Sequence, residues 1–75
     1  TAAVFDATDL GPAETAELRR LVGRLRPAPV LAILDFPRPA DRRRALDAGA
    51  AEVLSKPVFV EDLLWHLANL SQRQT

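Results

Sequence analysis

Hydrophobic positions along the chain switch repeatedly between short continuous runs and a helical stripe. Ala2–Ala7 is a short apolar run interrupted by Asp6, and its Val4-Phe5 centre predicts a buried strand. Thr8 to Gly11 read as a loop. Pro12 then suits the first position of a helix, with Glu14 and Glu17 near its positive dipole end. Leu18, Leu21, Val22 and Leu25 form one apolar stripe against Arg19, Arg20, Arg24 and Arg26. Gly23 weakens that helix, and Pro27 and Pro29 end it. Val30–Leu34 is apolar throughout, as expected of a strand covered on both faces. After Asp35 and a Pro37-Arg38-Pro39 turn, Ala40–Ala48 predicts a short helix with Asp41 in its first turn and Gly49 past its end. A third strand, Ala51–Ser55, stops at Lys56-Pro57, because proline lacks a ladder donor. Val60, Leu63, Leu64, Leu67 and Leu70 give a final amphipathic helix, and Ser71–Thr75 reads as a frayed tail.

Three strand–helix units in alternation imply an α/β fold with a parallel sheet built by right-handed crossovers. Strands that all point one way gather their carboxyl ends at one rim, where open α/β sheets place ligands. That rim carries Asp6, the Leu34-Asp35 pair and Lys56. Lys56 is the sole lysine beside nine arginines. Its compact ammonium can swing onto a small anion, whereas guanidinium suits planar, bidentate partners.

Composition narrows the picture. At 75 residues the chain is at most one small domain, and a chain of that size buries only about 60% of its unfolded surface. Of its 48% hydrophobic residues, 13 are alanine, so the large apolar side chains are few and help from a partner or second copy is expected. Ten basic and ten acidic residues cancel, which argues against nucleic acid or an anionic membrane as partner. No cysteine is present, ruling out a disulfide framework and fitting a reducing cytoplasm. No apolar run approaches the roughly 20 residues of a membrane span, and no signal peptide is visible. A start at Thr1 fits either a processed chain or a piece of something longer. No glycine-rich phosphate loop, Ser/His/Asp set or zinc spacing occurs, and no enzymatic activity is expected.

The order Val-Phe-Asp, an apolar run after Pro29, Ala-Leu-Asp-Ala-Gly-Ala and Leu-Ser-Lys-Pro resembles a response-regulator receiver domain. The resemblance covers essentially all 75 residues as one partial domain, the third strand through the fifth helix. It implies the (βα)3 portion of a flavodoxin-like doubly wound sheet. It further implies a bacterial two-component protein, with a histidine kinase or other domains of its own protein as partners. In that family the aspartate ending the third strand accepts a phosphoryl group, a position matched by Asp6. The family's lysine contacts the phosphoryl oxygens and is matched by Lys56; the Lys-Pro bond is usually cis, so a cis Pro57 is expected.

Several residues depart from the family pattern. Receivers hold Mg²⁺ through an acidic pair at the end of a first strand that this chain does not contain. Asp6 alone would make an incomplete metal site, with Mg²⁺ expected only for a complete receiver, and phosphoryl transfer needs a metal to neutralise developing charge. The hydroxyl and aromatic switch positions are Leu34 and Val53, and the family's proline and glycine after the phosphoacceptor are Leu10 and Glu14. The reading shifts toward a degenerate receiver acting through protein contacts. The alternative is a phosphorylatable receiver truncated before its third strand.

The remaining polar residues read as structural. Asp35 is expected to cap the proline-rich turn rather than pair with Lys56. Arg42-Arg43-Arg44 spread around a helix beside Asp41 and Asp47, a solvated face rather than a nucleic-acid site. His66 is expected to be an exposed helix residue. Trp65 falls off the apolar stripe and is a candidate interface anchor. The first strand would be an open edge, so Ala3 and Phe5 are interface candidates for a homo-oligomer joined there.

Overall fold

A computed structural model describes residues 2–72 of the chain. Its elements are β1 (Ala3–Ala7), α1 (Pro12–Leu25), β2 (Val30–Leu34), α2 (Pro39–Asp47), β3 (Glu52–Ser55) and α3 (Val60–Gln72). Two boundaries differ from the sequence expectation at the strands, since Ala2 and Ala51 precede the ladders. The last helix is longer than expected: Ser71 and Gln72 belong to α3, while residues 73–75 lie outside the described residues.

The three strands form one parallel sheet in the order β1-β2-β3. Phe5 pairs with Ala32 and Ala32 with Val53; Ala7 pairs with Leu34 and Leu34 with Ser55. All five residues of the central β2 are buried, which is why that strand is apolar on both faces. Right-handed crossovers that extend a sheet in one direction keep successive helices on one side. Accordingly α1 and α2 cover one face, where Leu18, Val22 and Ala45 meet Phe5, Val30, Ala32, Leu34 and Val53. Helix α3 covers the other face, with Leu70, Leu63 and Leu67 against Leu31, Ile33 and Leu54. The architecture is thus an α/β sheet with helices on both sides, in a (βα)3 order.

Local chemistry sets the helix ends. The Gly11 carbonyl accepts both the backbone N–H and the hydroxyl of Thr15, at 2.9 and 2.8 Å, and opens α1 beside Pro12. At α2 the buried Asp41 carboxylate accepts the Arg38 backbone N–H at 3.1 Å and pairs with Arg44. Arg44 Nε also donates to the Leu10 carbonyl at 3.1 Å, and Arg42 Nη1 donates to the Val53 carbonyl at 3.3 Å. Two of the three consecutive arginines therefore tie α2 to the β1–α1 loop and to β3, where the sequence suggested only a solvated face. Past α2, Gly49 adopts φ +111°, and a Cβ there would sit 2.7 Å from Val22 Cγ1. The turn needs glycine on both counts.

Two tests follow from the packing. Leu34 is fully buried, so Leu34→Ala should lower the unfolding free energy by about 2–5 kcal/mol, read from the urea midpoint. The Arg38 N–H, then the Arg44 and Arg38 charges, hold the Asp41 carboxyl below its ordinary value of 3.8, while burial opposes them. A depressed carboxyl contributes stability that is complete above the ordinary value and lost as pH falls through the folded one. Asp41→Asn should flatten the acid limb of thermal stability below pH 3.8 and leave its shape near neutrality unchanged.

Candidate functional site

Three chain segments leave the sheet at the same rim, and each brings one charged residue. Asp6 is the penultimate residue of β1, Asp35 follows β2 directly, and Lys56 follows β3 directly. Backbone hydrogen bonds prolong the ladders and fix where these residues stand. Lys56 N–H donates to the Leu34 carbonyl at 2.9 Å, and Asp35 N–H donates to the Thr8 carbonyl at 3.1 Å. The lysine ammonium then reaches both acids: Nζ lies 2.5 Å from Asp6 Oδ1 and 3.5 Å from Asp35 Oδ1. The hydrogen bond to Asp6 raises the Lys56 pKa above its ordinary value; burial opposes this, and the Asp35 and Asp6 charges add to the rise.

The trio is open to water: side-chain exposure is 66% for Asp6, 39% for Asp35 and 31% for Lys56. Solvent screens such pairs, so the triad orients its groups more than it stabilises the fold. One ammonium between two carboxylates leaves the rim with one net negative charge. That balance disfavours a further anion and suits a cationic or neutral polar group from a partner.

Beside the triad lies an open recess of about 500 Å³. Its walls are apolar, formed by Ile33, Phe36, Pro57, Val58 and Leu63 around the three charges. Phe36 has φ +40° and is 85% exposed, an aromatic ring presented to solvent at the lip. Sequence reading missed Phe36 and Val58 as site residues; the available signal was a large aromatic wedged between Asp35 and Pro37 in a turn. It also misassigned Asp35, whose carboxylate turns to Lys56 instead of capping the turn.

Other expected site residues fall in different places. The Lys56–Pro57 peptide bond is cis, as is Arg26–Pro27. Leu34 and Val53, the switch positions implied by the resemblance, do not line the recess. Both are buried on the α1–α2 side, because the two-residue alternation of β2 and β3 turns them toward that core. Ala3 and Phe5 lie on β1, an outer strand of the β1-β2-β3 sheet. Their side chains pack under α1, and Ala3 N–H donates inward to the Pro29 carbonyl at 3.0 Å. Trp65 is 64% exposed on the outer side of α3, with its ring edge-on to His66 at 5.1 Å. His66 is not a free surface residue: it is half-buried and its Nδ1 lies 2.8 Å from Glu52 Oε1, tying α3 to β3.

The residues present do not fit a magnesium ion. A hexacoordinate oxygen shell needs carboxylates free to face the metal, and here an ammonium stands between the two acids. Among the described residues no cluster of three or more His, Cys, Asp or Glu could hold a metal. No helix of the described residues is long and apolar enough to cross a membrane. No protein-family model matches the chain, and no curated protein does either.

The triad has a pH signature. A raised lysine contributes stability that is complete below the ordinary value of 10.5 and lost as pH climbs through the folded value. Melting temperature should therefore fall in the alkaline range above pH 10.5, and Lys56→Met should remove that part of the decline while leaving neutral helicity intact.

Proposed function

We propose that the chain is a receiver-like regulatory module of bacterial two-component signalling, equivalent to the third to fifth strands of a flavodoxin-like receiver. It acts through protein contacts and not through turnover. The observation that carries this reading is the rim: Asp6, one residue short of the end of β1, meets the sole lysine after β3 at 2.5 Å. The same rim argues for degenerate phosphorylation machinery. Asp35 supplies a second carboxylate to Lys56, so an incoming phosphoryl group would meet a neutralised ammonium and a repelling acid.

The partners on this reading are a histidine kinase or other domains of the parent protein. The recess gives them an apolar socket with a charged floor, and Phe36, Phe59, Leu64 and Trp65 add exposed anchors around it and along α3. Large aromatic side chains of this kind dominate binding energy when a partner desolvates them. A second reading, a phosphorylatable receiver requiring Mg²⁺ and segments before β1, is favoured by the openness of the Asp6 carboxylate.

Acetyl phosphate with Mg²⁺ separates the two readings. Intact-mass analysis of the chain is expected to show no phosphate adduct, with Asp6→Asn behaving identically. An adduct mapped to Asp6 would instead support the truncated phosphoacceptor. Titration of the ¹⁵N-labelled chain with a histidine-kinase core should shift amides around Phe36, Lys56 and α3. If neither the adduct nor the shifts occur, the signalling reading is lost.

A further inference from the structure

The sheet has two edges, and they are treated differently. At β3 the Val53 carbonyl is taken by Arg42, and the Glu52 side chain is held by His66. At β1 no side chain of the described residues guards the edge. Ala3 N–H bonds inward to Pro29, so the two-residue alternation turns the N–H and C=O groups of Val4 and Asp6 outward. Such a row is a template for another strand.

The flanks of this edge differ in chemistry. On the α3 side the floor is Val4, 39% exposed. Successive residues of a helix are about 100° apart, which puts Val60 and Leu64 on the flank of α3 opposite His66, toward β1. Both are at least 60% exposed. On the α1 side Glu17, Arg20, Leu21 and Arg24 line an open groove with Phe5 and Asp6.

We infer that a second copy of this chain occupies the β1 edge, pairing antiparallel about a two-fold axis perpendicular to the sheet beside the middle of β1. This symmetry keeps the faces matched. The α3-side flanks of the two copies meet, each Val4 standing opposite Asp6 of the other copy across the new ladder, and the two α1 helices run antiparallel. Glu17 and Arg24, about two turns apart on one helix face, then stand opposite Arg24 and Glu17 of the other copy. Arg20, nearer the axis, keeps Glu17 at i,i+3 spacing on its own helix. Helix α1 packs across both β1 and β2, so the two copies of it would lie about 10 Å apart, the spacing of packed helices. The result is a continuous six-stranded sheet with both former edges buried at its centre. This inference stands on the edge itself and is independent of the signalling role.

Analytical ultracentrifugation of the 75-residue chain tests it. At about 100 µM the mass should be twice 8.2 kDa, dissociating on dilution. Val4→Pro deletes only an outward donor, which edge strands tolerate; it should give a monomer with unchanged circular dichroism. Glu17→Arg should raise the Kd by about tenfold, and adding Arg24→Glu should restore it. A monomer at every concentration overturns the inference, as does a dimer that survives both Val4→Pro and Glu17→Arg. Loss of the dimer in Trp65→Ala but not in Val4→Pro would place the contact on α3 and equally overturn it. Should Val4→Pro fail to fold, the charge reversal and its rescue decide alone.

Discussion

Parallel pairing of β2 with both of its neighbours is the constraint from which the rest follows. A strand hydrogen-bonded on both sides and apolar on both faces must be covered above and below. Helices α1 and α2 do this on one side and α3 on the other. Parallel direction also means that three loops leave at one rim. Asp6, Asp35 and Lys56 are brought together by the sheet, not by any local preference of the residues around them.

The charge balance at that rim then limits its chemistry. Its single ammonium is neutralised by Asp6, and Asp35 beside it leaves a net negative charge. The wall beside it is apolar and ends in an exposed, backbone-strained Phe36. Positive φ at a bulky residue persists only where the surroundings hold it, and here the strain presents a ring to solvent beside a charged floor.

Small size shapes the periphery. With so many alanines in the apolar count, the core relies on few large side chains, and polar ties do part of the work. Arg44 and Arg42 bind α2 to the β1–α1 loop and to β3, and His66 binds α3 to Glu52. The same shortage leaves Val4, Val60 and Leu64 partly uncovered, and among the described residues no side chain guards β1 in this way. Edge protection is therefore uneven: β3 is fenced by side chains, whereas β1 is left with a hydrogen-bonding face and an apolar shoulder.

What the sequence determined alone was the run of elements and their type. Hydrophobic period, the proline and glycine stops and the unbroken apolar β2 suffice for the β-α-β-α-β-α order and the parallel direction, because these are local or nearest-neighbour properties. The placement of Asp6 and Lys56 at one rim was legible too, since parallel strands share an end. Only the tertiary structure decided that the Asp35 carboxylate turns to Lys56, that Leu34 and Val53 turn into the α1–α2 core, that Phe5 is buried while Val4 is partly exposed, and that His66 finds Glu52. Each of these depends on which face of a strand a helix covers and on how two elements are set side by side. A chain's own pattern does not contain that information, because it is settled by competition for the same buried surface.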